Sequence, residues 1–186
     1  PLFYPQLVCS RLDHLTGHRI AAKLPRHAPI VAAQHMLPDE LFRALFKFAF
    51  VRNPWDLQVS SWHHLRRERP HLLEGIDSFE TFMRWKMNPD RPAQFHLDTS
   101  MRLQRDSLID LHGEVIVDFL GRYERLEHDY AEACRRIGIT PPRLPRKRQA
   151  KGREDYRAYY TDALAEEVGR FFQRDLDTLG YTFDKT

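Results

Sequence analysis

The chain has 186 residues and a mass of 22.1 kDa, and its residues are 42% hydrophobic, 12% aromatic and 30% charged. This composition is ordinary for a soluble globular protein and argues against a disordered chain. The formal net charge of +3 and the isoelectric point near 9.0 suit an anionic ligand without requiring nucleic acid. Cys9 and Cys134 provide neither a disulfide framework nor a cysteine metal motif.

The length predicts a single domain over residues 1–186, large enough to bury a substantial core. No apolar run is long enough to span a bilayer, and the N-terminus lacks the pattern of a signal peptide. We therefore expect a cytoplasmic protein of bacterial type. Because the chain begins at Pro1, truncation is an alternative, and a membrane-associated form with a longer N-terminus stays open.

The first predicted elements are short. Residues 29–33, PIVAA, form a brief apolar run that predicts a strand ending at Gln34 and His35. A helix is then predicted from Pro38 to Ala44, because proline suits a helix start and two acidic residues follow it where the helix dipole favours them.

The stretch over residues 45–67, LFKFAFVRNPWDLQVSSWHHLRR, predicts a strand followed at once by a helix. Residues 45–51 are apolar or aromatic with one exception, which predicts a largely buried strand. Asn53 is a predicted N-cap, and Pro54 suits the first helical position. Helical spacing then predicts an apolar stripe of Trp55, Val59 and Trp62, and a separate polar face of Asp56, Ser60, His63, His64 and Arg67.

The turn between this strand and helix has chemistry suited to phosphate. Arg52 ends the strand, and Ser60 lies two turns into the helix on its polar face. A helix N-terminus offers unpaired backbone N–H groups and the positive end of a dipole, to which a guanidinium and a hydroxyl add further donors. The combination predicts a site for a phosphate monoester. For either residue alone, a structural strand-end arginine or a solvent-facing serine is the simpler interpretation.

The middle of the chain predicts a further helix, a loop and a second strand. Asp77 and Glu80 have capping-box spacing ahead of apolar residues, which predicts a helix. Residues 88–100 contain two prolines and little periodicity, so we expect a surface loop there. Residues 114–121, EVIVDFLG, predict the second strand.

The C-terminal part predicts two helices separated by a basic loop. Residues 126–137 predict a helix that ends at Gly138, and its position after a strand favours parallel pairing in an α/β sheet. Residues 143–153 follow as a loop with six Lys or Arg residues. A last helix is predicted to start at Thr161 or Asp162, to bury Leu164, Val168, Phe171, Phe172 and Leu179, and to end at Gly180, with Tyr181 and Phe183 packing against the core.

The segment FVRNPWDLQVSSW resembles the 3'-phosphate-binding strand-loop-helix of sulfotransferases, which use 3'-phosphoadenosine 5'-phosphosulfate (PAPS) as sulfuryl donor. VDFLGRYERLEHDY and residues 155–183 resemble later segments of the family, most closely its carbohydrate-type and bacterial members. The resemblance therefore extends from about residue 35 to residue 183. It implies a P-loop-type α/β fold of three layers, with a short central parallel sheet flanked by helices.

The resemblance also implies site residues. The family's arginine and serine that hold the 3'-phosphate match Arg52 and Ser60, and the basic loop matches a cofactor-contacting region, with Lys151 and Arg153 nearest the following helix. His35 matches the position of a histidine general base in glycan sulfotransferases. Capping or packing for the histidine, and a solvated charged loop, are the alternatives. We expect no metal, because His63 and His64 are adjacent and do not have the i, i+4 spacing of a helical metal site.

One family element is missing from the sequence. Sulfotransferases of this class carry an N-terminal strand and a PK-x-x-G-T-[ST] loop that binds the 5'-phosphosulfate, and no such segment occurs in the chain. We therefore expect a fold without its first strand, from which PAPS-dependent transfer to an acceptor hydroxyl, on a carbohydrate or another molecule, would be slow or absent. An inactive nucleotide-binding or interaction module is the main alternative. A nucleic-acid-binding protein is the weaker one, because no recognised binding motif is present.

Overall fold

The computed structural model describes residues 28–144 and 152–184. Helices precede and follow both strands of a two-stranded parallel sheet along the chain. The elements in chain order are α1 (Ile30–Met36), α2 (Asp39–Ala44), β1 (Phe48–Val51), α3 (Pro54–Glu68), α4 (Phe79–Met87), α5 (Phe95–Asp98), β2 (Phe119–Arg122), α6 (Leu126–Ile137), α7 (Asp162–Phe171) and α8 (Gln173–Leu179).

Two compact units divide the chain, one formed by residues 1–49 and 106–120 and the other by residues 50–105 and 121–186. The prediction of a single domain stays a prediction. Within the described part of the chain, no helix has the length and apolar character needed to cross a membrane.

In the first unit, the predicted strand over residues 29–33 is wrong, because residues 30–33 belong to α1 and Pro29 is its N-cap. A short apolar run does not distinguish a strand from a buried helix by periodicity, and two consecutive alanines favour the helix. Helix α2 is confirmed, with Pro38 as its N-cap. After it, Lys47 Nζ forms an ion pair of 2.8 Å with Asp118 Oδ2.

Both strands are shorter than predicted. Phe48 is 44% exposed and only Val51 of β1 is buried, so the expectation of a largely buried strand is wrong for most of its length. The second predicted strand begins too early, because Val115 instead pairs with Ile109 in an isolated antiparallel bridge. The carboxylate of Asp110 makes this turn, as it accepts hydrogen bonds from the backbone N–H groups at positions 112 and 114.

The core of the second unit forms around α3, which starts as predicted. The Asn53 side chain accepts hydrogen bonds from the backbone N–H groups of Trp55 at 3.0 Å and Asp56 at 3.4 Å. The predicted apolar stripe is confirmed, since all three of its residues are buried. The buried side chains that pack together in this core are Trp55, Val59, Trp62, Leu65, Leu73, Phe79, Phe82, Met83, Leu97, Tyr156, Leu164, Val168 and Phe172.

Three predicted helices of this unit are confirmed with changes. Helix α4 is capped by Ser78, whose hydroxyl accepts from the Thr81 N–H, rather than by Asp77. Helix α6 ends at Gly138, whose φ of 80° suits glycine. The predicted last helix is two helices that meet at Phe172. Because the chain bends there, Phe172 is buried, whereas Phe171 is 44% exposed and was wrongly predicted to be buried.

The aromatic C-terminal tail packs against the core as predicted. Tyr181 is buried, and the Phe183 ring meets Trp55 edge-on with 5.4 Å between ring centroids. Phe183 makes similar edge contacts with Tyr156 and Tyr160. These contacts attach the end of the chain to the first turn of α3, which carries the predicted phosphate site.

A buried lysine joins α3 to α4 and to the segment after α5. Lys86 is 2% exposed, and its Nζ donates to Gln58 Oε1 at 2.5 Å and Ser100 Oγ at 2.8 Å. Burial, the largest cause, and the positive charge of Arg91 together lower the pKa of Lys86 to about 7, against the opposing charge of Asp98. The structure therefore holds an amine that titrates near neutral pH inside the core.

This titration predicts a pH-dependent stability. The pKa of an unfolded lysine lies near 10.4, so between about pH 7 and that value the unfolded chain binds more protons than the folded chain. The free energy of unfolding should therefore rise with pH in this window, with a slope of up to ~1.4 kcal/mol per pH unit. Lys86→Met should lose this slope in urea unfolding at pH 7, 8 and 9. A slope that persists unchanged in the variant would contradict the assignment.

Candidate anion-binding site

The turn between β1 and α3 is held by side chains from elsewhere in the second unit. The backbone N–H of Asn53 donates to Glu124 Oε1 at 2.6 Å, and Asn53 is fully buried. The backbone N–H of Arg52 donates to Gln104 Oε1 at 2.9 Å, and Gln104 Nε2 donates to the Arg52 carbonyl at 2.7 Å. The polypeptide is therefore fixed at both residues before the helix begins.

The two residues predicted to hold a phosphate lie within hydrogen-bond distance of each other. Arg52 Nη1 donates to Ser60 Oγ at 3.0 Å, and Arg52 Nε donates to Asp56 Oδ2 at 2.5 Å. The guanidinium also lies over the ring of Tyr123, 4.1 Å from its centroid. Three neighbours therefore set the plane of the Arg52 guanidinium beside the N-terminus of α3.

Arg153 joins the same group from the end of the basic loop. Its Nη2 donates to Asp56 Oδ1, so that two guanidinium groups share a single carboxylate. The side chains of Arg52, Asp56 and Arg153 are 13%, 15% and 20% exposed, which leaves each one partly open to solvent. Lys151, the other predicted contact from this loop, lies outside the described residues.

The electrostatics of the group favour an added anion. Burial lowers the pKa of Arg52, while the charge of Glu124 is among the effects that oppose this. Burial also lowers the pKa of Arg153, followed by the positive charge of Arg52. Both guanidinium groups stay charged at neutral pH and repel each other. An anion placed between them, at the positive end of the α3 dipole, would reduce that repulsion.

The predicted base lies elsewhere along the chain. His35 is exposed on α1, in the first unit, and not at a strand end as predicted. In the second unit, His63 Nε2 lies 2.7 Å from the Tyr159 hydroxyl. No group of three or more His, Cys, Asp or Glu side chains in the described ranges is arranged to hold a metal ion.

Comparison with known proteins identifies the family to which the chain belongs. The model of a family described as the sulfotransferase family matches residues 8–182. The chain belongs to the sulfotransferase family. A protein of Archaeoglobus fulgidus, described as uncharacterized, is 28% identical to it over 131 residues, which cover 69% of the chain and 97% of that protein. No solved structure matched the chain.

In this sulfotransferase-family chain, several contacts that surround Arg52 were not predicted from the sequence. Asp56 was predicted on the polar face of α3, and its spacing of four residues from Arg52 was a usable signal for their ion pair. Gln104 and Tyr123 carried no local signal, because they reach Arg52 only through the tertiary fold. Glu124 accepts hydrogen bonds from the Asn53 N–H and the Tyr181 hydroxyl, so its role in the turn is structural.

The shared carboxylate predicts a stability effect that a helix dipole alone does not. Asp56→Asn removes the charge that both arginines bind, so the free energy of unfolding should fall by about 2 kcal/mol or more. Asp162→Asn is the matched control, because Asp162 also lies in the first turn of a helix but is exposed. That variant should lose about 0.5 kcal/mol. Equal losses in urea unfolding would show that the arginine contacts contribute nothing.

Proposed function

We propose that this protein transfers a sulfuryl group from PAPS to the hydroxyl of an acceptor, a carbohydrate being the acceptor class implied by the family resemblance. The observation that carries the proposal is the convergence of Arg52, Ser60 and Arg153 on the N-terminal turn of α3, in a chain of the sulfotransferase family. We further propose a P-loop-type fold and a cytoplasmic location, both of which follow from the sequence.

In this proposal, the site binds the nucleotide end of the donor. Arg52 and Ser60 donate hydrogen bonds to the 3'-phosphate, with Arg153 as a second guanidinium and Lys151 as a further contact from the same loop. Two guanidinium groups and a hydroxyl suit a dianionic phosphate better than a lysine alone would, because a guanidinium binds two oxygens at once. The distance of 3.0 Å between Arg52 Nη1 and Ser60 Oγ supports this assignment, because a single phosphate can contact two groups that lie so close together.

The transfer step needs a base at the acceptor. The acceptor oxygen attacks the sulfur of PAPS, the bond from sulfur to the bridging phosphate oxygen breaks, and 3'-phosphoadenosine 5'-phosphate leaves. We propose that the His35 imidazole accepts the hydroxyl proton as the new oxygen–sulfur bond forms. Exposure of His35 on α1 supports this role, because a base must be open to an incoming acceptor.

The anchoring role of Arg52 is tested by calorimetry with 3'-phosphoadenosine 5'-phosphate. Arg52→Ala should weaken binding by about tenfold or more, because it removes charge-assisted hydrogen bonds to the phosphate. Arg67→Ala is the control, since Arg67 lies on the same helix but is exposed near its other end. Unchanged affinity in Arg52→Ala, or an equal loss in both variants, would refute the assignment.

The role of His35 is tested by turnover. In a form of the protein that transfers sulfuryl groups from PAPS to carbohydrate hydroxyls, His35→Ala should lower the rate about 100-fold or more, as loss of a general base does. Its affinity for 3'-phosphoadenosine 5'-phosphate should stay the same. His71→Ala, which changes an exposed histidine of the second unit, should keep the wild-type rate. A wild-type rate in His35→Ala would remove the base assignment.

A nucleotide-binding protein without transfer activity is the second candidate. It is favoured by one observation, which is that the contacts among Arg52, Ser60 and Arg153 supply an anion-binding site, and binding needs no transfer step. One measurement distinguishes the two candidate functions. Binding of 3'-phosphoadenosine 5'-phosphate with no release of it from PAPS, over a panel of hydroxyl acceptors, would favour the second.

A further inference from the structure

Gln104 makes an unusual contact for a side chain, because it bonds both backbone polar groups of one residue. Its amide oxygen accepts from the Arg52 N–H at 2.9 Å, and its amide nitrogen donates to the Arg52 carbonyl at 2.7 Å. This is the pairing that a neighbouring strand would provide, and it occurs one residue beyond the end of β1. Because the backbone N–H and the carbonyl of Arg52 are both held, the direction in which the Arg52 side chain leaves the backbone is fixed.

The backbone at Gln104 is itself fixed by hydrogen bonds. Asp175, which is fully buried on α8, accepts from the Gln104 N–H through Oδ2 and from the Arg105 N–H through Oδ1, both at 2.9 Å. Arg105 Nε donates in turn to Thr178 Oγ1 at 3.0 Å. A carboxylate that bonds two consecutive N–H groups leaves the peptide little freedom to rotate.

The segment leading to Gln104 is anchored at its other end. The carbonyl of Ser100 accepts from Gln58 Nε2 at 2.7 Å, and its hydroxyl bonds Lys86 Nζ and Ser61 Oγ. Gln58 and Ser61 both lie on α3, the helix whose N-terminus forms the anion-binding site. Residues 100–105 are therefore attached to α3 at one end and to α8 at the other, with Gln104 between them facing Arg52.

From this geometry we propose that Gln104 is a positioning residue for the 3'-phosphate site. It holds the backbone of Arg52 so that the guanidinium reaches Asp56, Ser60 and the bound phosphate together. The inference rests on the proposed function, because it assigns Gln104 a role in the same nucleotide site. It adds a selectivity determinant that never touches the ligand.

The proposal predicts which part of the ligand is affected. If the Arg52 backbone turns, its guanidinium moves away from the 3'-phosphate, and small misplacements of a charged group are costly. Contacts to the rest of the nucleotide stay in place. Loss of Gln104 should therefore lower the preference for 3'-phosphoadenosine 5'-phosphate, also called adenosine 3',5'-bisphosphate, over adenosine 5'-monophosphate. It should not weaken the binding of both nucleotides equally.

The first experiment measures the affinity of both nucleotides for the full chain by calorimetry. Gln104→Leu keeps the size of the side chain and removes both hydrogen bonds, so it should weaken adenosine 3',5'-bisphosphate about tenfold and adenosine 5'-monophosphate less than about twofold. Gln173→Leu is the matched control, because Gln173 is exposed on α8, where its Nε2 donates to the carboxylate of Asp177 at 2.7 Å. It should leave both affinities unchanged.

The second experiment uses a titratable substitute. In Gln104→Glu, a carboxylate still accepts from the Arg52 N–H but repels the Arg52 carbonyl, whereas a protonated carboxyl donates to it. The affinity for adenosine 3',5'-bisphosphate, divided by the wild-type affinity at the same pH, should therefore be low at pH 8 and rise as the pH is lowered to 4, because an unperturbed glutamate titrates at about pH 4.3. Division by the wild-type value removes the titration of the phosphate itself, whose second pKa lies near 6.

The outcomes separate the inference from the proposed function. If Arg52→Ala removes the preference for the 3'-phosphate and Gln104→Leu does not, the positioning role is overturned while the site stands. Equal weakening of both nucleotides in Gln104→Leu also overturns it, because that is the effect of a merely structural residue. If Arg52→Ala keeps the preference, both ideas fail. Should Gln104→Leu not fold, a flat pH ratio for Gln104→Glu overturns the inference.

Discussion

The sharing of the Asp56 carboxylate between Arg52 and Arg153 is the interaction on which the site depends. Without it, two partly buried guanidinium groups would repel each other, and Arg153 would lose its ion pair with α3. With it, the arginines meet at the N-terminus of a helix of 15 residues, where the dipole adds positive potential. The carboxylate thus assembles a positive cluster while neutralising only part of it. A bound phosphate would add negative charge between the two guanidinium groups.

The surrounding packing converts this cluster into a fixed geometry. Trp55 is buried at the start of α3, and its indole Nε1 donates to the Ala165 carbonyl at 2.9 Å, which joins the first turn of α3 to α7. The Phe183 ring contacts the same indole edge-on. Because side chains from distant segments bond the backbone at Arg52 and Asn53, the turn does not depend on its own short sequence for rigidity.

Local signals predicted the elements at the site well, and long-range ones poorly. Asn53, Pro54 and the apolar stripe of α3 follow rules that act within a few residues, so the helix start was predictable. The strand predicted over residues 29–33 failed because a short apolar run has no period that separates strand from helix. Gln104 was not predictable, because its partner lies 52 residues away and only the fold brings the two together. The contact of Arg153 with Asp56 was not predicted either, for the same reason.

The buried amine of Lys86 has a consequence for the heat of folding. At a pH between about 7 and 10.4, an unfolded chain carries a proton on this lysine that the folded chain has largely given up. Folding in this window therefore releases a proton to the solvent, where the buffer takes it up. Heats of unfolding measured in buffers with different ionisation enthalpies should differ at equal pH, while the free energy of unfolding stays the same. Formation of the core is therefore coupled to release of a proton in this pH window.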